Sequence, residues 1–248
     1  MKLICVPDER EVGLEAARFI ASVVRIKPKA VLGLATGSSP IGTYAELVRM
    51  CAEENLDFSD VRTVNLDEYV GLDASHPQSY RYYMQKYLFD EVNIDPDNTY
   101  VPDGLAEDAD EECALYDELL ESLGYADIQL LGIGVNGHIG FNEPADCFTP
   151  QTHVVEIAES TIDSNQRFFE TRDEVPRNAI TMGIKGILCA KRIVLIATGR
   201  KKAEALKATC FGPVTPQLPA SILQLHPDVT IIADEEAFSL VPFFGDDE

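Results

Sequence analysis

Short apolar runs separated by stretches of helical spacing constrain this chain more than any other feature of its sequence. The runs are Leu3–Val6, Ala30–Ala35, Val61–Leu66, Ile128–Ile133, Arg192–Ala197 and Val229–Ala233. Most are continuous rather than alternating, which predicts strands covered on both faces. Between them Val12, Ala16, Phe19, Val23 and Ile26 follow at 4, 3, 4, 3 spacing, one face of a helix. Pro40–Glu53, Gln78–Phe89, Asp108–Ser122 and Lys201–Thr209 read as further helices. Strands alternating with helices predict an α/β fold, a mostly parallel sheet between two helical layers. Without repeats, low-complexity linkers or a composition break, the chain reads as one domain over 1–248.

Composition narrows the function classes. A formal net charge of −22 repels nucleic acid and anionic membranes, and repels any anionic ligand at long range. An anionic substrate must therefore be held by a few local cations. The six cysteines stand singly, with no C-x-x-C pair and no zinc spacing, and read as buried small hydrophobes of a reducing compartment. The start, Met1–Pro7, has too short an apolar run for a signal peptide, and no stretch reaches the roughly 20 apolar residues of a membrane helix. These features predict a cytoplasmic protein with neither nucleic-acid nor membrane partners.

In parallel sheets ligands bind at the carboxyl ends of the strands, so the residues just past each strand matter most. After Ala35 come Thr36-Gly37-Ser38-Ser39-Pro40, with Ser39 suited to an N-cap and Pro40 to the first helical position. Such a loop is either an anion site or an ordinary capped turn. It lacks the Gly-Lys-Ser/Thr of a Walker loop. After Leu66 comes Asp67, a general base or merely a turn cap. After Ile133 comes the segment Gly134–Pro144, a loose glycine-rich backbone displaying Asn136, His138 and Glu143. Its formal G-x-G-x-x-G is not a dinucleotide fingerprint, because Gly140 and Pro144 spoil the helix that must begin there. A histidine near a carboxylate can move protons near neutral pH. After Ala197 come Arg200, Lys201 and Lys202 at an expected helix start, where cations are disfavoured unless an anion faces them.

Taken together, these residues are similar to a known family. Leu66–Leu72 and Gly137–Pro144 resemble the two signature segments of glucosamine-6-phosphate deaminases, and Ala35–Pro40 resembles that family's phosphate loop. Ser164–Phe169 and Leu223–Pro227 match further stretches, so the likeness runs in order along almost the whole chain. It implies a Rossmann-like three-layer αβα fold shared with 6-phosphogluconolactonases and with sugar-phosphate-sensing repressor domains. The lactonase pattern departs after the shared Gly-His, and no basic segment here would serve a repressor.

The resemblance implies deamination coupled to aldose–ketose isomerisation, with no cofactor and no metal. His138 would open the sugar ring, Glu143 would orient it, and Asn136 would hold substrate or imidazole. Asp67 would take the C2 proton. Thr36, Gly37, Ser38 and Ser39, with Arg167 and Lys202, would hold the phosphate, and a lid around 157–183 would carry Arg167. Some bacterial family members are hexamers switched on by N-acetylglucosamine 6-phosphate, through basic residues after the Asn-Glu-Pro segment and a longer C-terminal region. The corresponding stretch here, Asp146–Glu156, has no Lys or Arg, and the region after Asp234 is short and acidic. The expectation is a non-allosteric enzyme, monomeric, with a small homo-oligomer as the alternative.

Overall fold

The computed structural model describes residues 1–157, 162, 163, 166, 169 and 171–242. Ten strands appear, in chain order β1 (Lys2–Val6), β2 (Val31–Leu34), β3 (Arg62–Asn65), β4 (Asp67–Tyr69), β5 (Thr99–Tyr100), β6 (Ile128–Leu131), β7 (His153–Glu156), β8 (Asn178–Thr181), β9 (Ile193–Ala197) and β10 (Val229–Asp234). The helices are α1 (Glu9–Ile26), α2 (Ile41–Glu54), α3 (Tyr80–Tyr87), α4 (Ala109–Leu123), α5 (Ile184–Leu188) and α6 (Ala203–Phe211).

Seven strands form one parallel sheet in the order β1-β10-β9-β6-β2-β3-β5. On one face, Leu32, Leu34, Ile128, Leu130, Val194 and Ile196 pack against α1, α2 and α3. On the other, Val64, Leu131, Ile193 and Leu195 pack against α4, α5 and α6. This is the expected three-layer αβα arrangement. From β2 the chain steps outward through β3 to β5, then returns to place β6 on the other side of β2. The order therefore reverses between β2 and β6, and a crevice opens beyond their carboxyl ends.

A second, antiparallel sheet, β4-β8-β7, has no counterpart in the sequence reading. Its strands are three or four residues long and partly polar, too short to show a period of two. Asp67 pairs with Thr181 in its register, so the expected base lies on a strand rather than in a turn. Residues 178–181 of the expected lid are β8, and much of its remainder, with Arg167, lies outside the described residues. The tail 243–248 lies outside them too.

Other expectations shift for physical reasons. Helix α1 is capped by Asp8, which accepts from Glu11 N at 2.9 Å, but its buried stripe is rotated from the predicted one. Val12, Ala16, Ile20 and Val24 are buried with Gly13, Ala17 and Ala21, whereas Ile26 is 84% exposed. Small residues decide this face, because a Cβ on Gly13 would lie 2.8 Å from the Gly42 carbonyl carbon of α2. Ser39 caps nothing: Pro40 occupies the cap position of α2 in right-handed helical geometry, with no side-chain cap bond. The cysteines are not uniformly buried, since Cys5, Cys147 and Cys189 are exposed. Cys5 sits on the edge strand β1, where one side of the sheet is open. Among the described residues no helix is long and apolar enough to cross a membrane.

Candidate active site

Three connections meet at the crevice. The first is the β2–α2 loop, where Gly37 takes a positive φ of 89° that favours glycine. Gly37 and Ser38 are exposed, and Thr36 and Ser39 half-buried. The first amide of α2 to bond backward is Tyr44 N, to Pro40 O at 3.0 Å, so helix geometry leaves the amides before it to other partners. Tyr83 of α3 braces the loop by donating its hydroxyl to Gly37 O at 2.6 Å. Tyr80, also on α3, faces Thr36 of the same loop.

The second connection places Asp67 two residues after the end of β3, where the chain leaves the main sheet. Its residue is only 5% exposed, and among the described residues its carboxyl takes no hydrogen bond. Burial, and then the neighbouring charge of Glu68, push its pKa up to about 8. The glycine loop comes to it at Gly140. A Cβ there would lie 3.0 Å from Thr181 Oγ1 and 3.4 Å from Asp67 Oδ2, and Gly140 also holds φ at 58°.

The third connection is that glycine loop after β6. Gly134 N donates to His138 O at 2.9 Å, closing a tight turn. A Cβ on Gly134 would sit 2.4 Å from the His138 ring, so the imidazole lies flat where a side chain would be. Its Nδ1 is buried, 3.2 Å from Glu143 Oε1 but off the line of a good hydrogen bond. Glu143 Oε2 accepts from Asn136 Nδ2 at 2.6 Å, and Asn136 Oδ1 accepts from His138 N at 3.2 Å. One carboxylate thus joins the asparagine to the histidine, and the imidazole keeps a partly open edge toward solvent.

Lys202 lies in a 3₁₀ turn, Arg200–Lys202, ahead of α6 rather than in a helix. Of the three cations Arg200 and Lys201 are exposed, whereas Lys202 is drawn in and burial lowers its pKa. Lys202 makes no ion pair among the described residues. Since β9 is the neighbour of β6, its turn stands beside the glycine loop. Asp67 therefore meets the glycine loop at Gly140, the β2–α2 loop ends the neighbouring strand, and Lys202 follows the strand on the other side.

Sequence reasoning missed the aromatic wall. Tyr69, Tyr80, Tyr83 and Phe169 line a cleft of about 300 Å³ that also borders Gly37 and Ser38. Tyr80 stacks on Phe141 with centroids 6.1 Å apart. Only tertiary packing brings these rings together, so no local signal marks them. The opposite error is avoided at His226, which is buried, lies 2.7 Å from Ala190 O through Nε2 and accepts from Asp228 N. It is a core histidine with its polar atoms satisfied.

A crevice at the switch point of a parallel sheet, bordered by a buried carboxyl, a histidine–carboxylate–asparagine group and a glycine loop, is the arrangement of an α/β enzyme. The chain belongs to the family described as glucosamine-6-phosphate isomerases/6-phosphogluconolactonase, whose pattern matches residues 9–232. It is 51% identical over 242 residues to a glucosamine-6-phosphate deaminase of Thermoanaerobacter pseudethanolicus, covering 98% of this chain and 96% of that one. A deaminase of the same name from Lachnoclostridium phytofermentans is 54% identical over 232 residues, covering 94% and 98%. Among solved structures, a monomeric glucosamine-6-phosphate deaminase superposes with a TM-score of 0.95 at 48% identity, over 97% of this chain and 100% of that one. A 6-phosphogluconolactonase from Trypanosoma cruzi shares the fold, with a TM-score of 0.74 at 19% identity over 96% of each chain.

Proposed function

We propose that this chain converts glucosamine 6-phosphate and water to fructose 6-phosphate and ammonium, as a cytoplasmic monomer. One observation carries the reading. A buried carboxyl with a raised pKa meets, at Gly140, the glycine loop whose imidazole lies 3.2 Å from a carboxylate of its own, Glu143. Such a pair suits two proton transfers at different atoms of one substrate.

The substrate enters as a closed pyranose with its phosphate over Thr36, Gly37, Ser38 and Ser39, paired with Lys202 and Arg167. His138 takes the O1 proton and delivers it to the ring oxygen, which breaks the C1–O5 bond and leaves an aldehyde. Glu143 steadies the imidazolium formed in between, and Asn136 holds Glu143 in place. Asp67 as carboxylate then removes the C2 proton while the C2 ammonium gives up a proton to O1, leaving a neutral enolamine. Asp67 returns its proton to C1, which leaves an iminium at C2. Water adds to C2 and ammonia leaves, taking the displaced proton as ammonium. The developing charge at O1 needs donors already aimed at it, because a C–H bond is a weak acid.

The test is incubation of the purified protein with glucosamine 6-phosphate, and separately with 6-phosphogluconolactone. Ammonium and fructose 6-phosphate released in equal amounts from the first, with the lactone untouched, is the expected result. Lactone hydrolysis without ammonium release would reassign the site to ester chemistry.

A further inference from the structure

Of the buried acids outside the proton-transfer set, Glu68, Asp127 and Asp234, one adjoins the proposed base. Glu68 follows Asp67 on β4, points to the other side of the strand, and is 2% exposed. Its carboxylate collects three backbone amides: Tyr69 N at 2.8 Å and Tyr80 N at 2.9 Å on Oε1, and Arg81 N at 2.9 Å on Oε2. Two of these belong to the first turn of α3, whose cap Ser79 accepts from Tyr82 N at 3.0 Å. Side chains therefore satisfy the first three amides of that helix. The same helix carries Tyr83, which donates its hydroxyl to Gly37 O, and Tyr80, which faces Thr36.

Resting on the function proposed above, we infer that Glu68 is the positioning residue of this site. It ties the strand bearing the base to the helix that braces the anion loop, and it sets a fixed negative charge beside the base.

Burial raises the pKa of Glu68, and three amide donors with the nearby Arg81 offset part of that by favouring its ionised form. Asp67 has no such donors among the described residues, so of the two acids Glu68 ionises first. The other groups facing Asp67 are Tyr44 on α2, Tyr80 on α3 and Tyr116 on α4, all neutral phenols with raised pKa values, and Thr181 on β8. His138 and Glu143 lie further along the glycine loop that reaches Asp67 at Gly140. Arg81 faces Glu68 and donates to Thr99 Oγ1 and O, at 2.8 and 2.9 Å. The nearest fixed charge on Asp67 is therefore that of Glu68.

Two substitutions separate charge from geometry. Glu68→Gln keeps the shape and removes the charge, and Glu68→Asp keeps the charge and withdraws it from α3. Asp67 is followed in the ligand-free protein by its carboxyl infrared band, identified by its absence in Asp67→Asn. In Glu68→Gln the titration of that band moves down by about one pH unit, and the acid limb of kcat/KM moves with it. In Glu68→Asp the band stays near its wild-type midpoint, while KM for the sugar phosphate rises more than kcat falls. In the wild type, hydrogen exchange at the Tyr80 and Arg81 amides is as slow as inside α3, a readout needing no variant to fold. An unmoved Asp67 titration in Glu68→Gln, or fast exchange at both amides, overturns the inference. The infrared and exchange readings need no turnover, so an inactive wild type would sink the proposed function and leave this inference still decidable.

Discussion

A carboxyl group that holds its proton to about pH 8 becomes, once ionised, a stronger base than an ordinary aspartate. Burial does this to Asp67 first, and Glu68 adds to it. Two pH effects of opposite sign result. With Asp67 as the proposed base, catalysis needs its carboxylate, and kcat/KM of the wild type should fall as pH drops below about 8. Stability runs the other way, because the proton is held more tightly in the folded than in the unfolded chain. The favourable contribution is complete below the unfolded carboxyl value, near 3.9, and is lost as pH rises through about 8. Asp67→Asn should therefore melt above the wild type at pH 8 by at least about 2 °C, with the gap closing as pH falls toward 4. Thermal melts across that range check it, and a variant that melts lower at pH 8 would contradict the buried, unpartnered carboxyl. At His138 the expectation concerns ring opening. His138→Gln should lose about 10²–10⁴ in turnover of the closed pyranose and much less with a substrate held open. Equal losses would assign the imidazole to the carbon chemistry instead.

At the scale of elements, the turns after β2, β6 and β9 lie at the carboxyl ends of three adjacent strands, and the proposed mechanism gives each a separate task. Lys202→Ala should weaken sugar-phosphate binding by about 1.5–3 kcal/mol, a charge-assisted hydrogen bond's worth, and leave unphosphorylated glucosamine as poor a substrate as before. Calorimetric titration reads this directly, and unchanged affinity would place the phosphate elsewhere. The places of these turns were legible because each follows a buried strand of the main sheet, at the end where the crevice opens. The six predicted strands of the main sheet and the large helices appear within a few residues of their expected bounds. The part that was not legible is tertiary. β4, β7 and β8 are too short to announce a period, and Asp67 looked like a turn residue because its strand partner Thr181 lies far along the chain. Stacking of Tyr80 on Phe141 joins residues from two sheet connections that no local pattern relates. On α1 the large apolar side chains misled, since Gly13, Ala17 and Ala21 mark the face that packs.

The molecule as a whole bears on regulation. A second cleft of about 300 Å³ lies behind the catalytic loop, bordered by Glu143, Phe148, His153 and Glu156. Among the described residues no Lys or Arg lines it, and two carboxylates would repel a phosphate there. An effector shifts an equilibrium only by binding one state more tightly. The expected kinetics are therefore hyperbolic, unaltered by N-acetylglucosamine 6-phosphate, and sedimentation should give the mass of a single chain. Sigmoidal curves that turn hyperbolic with the acetylated sugar phosphate would reverse this reading. The central claim is that this fold brings Asp67 to the C2 proton of an amino-sugar phosphate. Its most direct measurement is ammonium release from glucosamine 6-phosphate in D₂O, wild type against Asp67→Asn, with deuterium read at C1 of the product. The wild type should release ammonium with deuterium at C1, and the variant should bind substrate yet lose both by about 10²–10⁴. An Asp67→Asn enzyme with near-normal ammonium release and labelling would contradict the account.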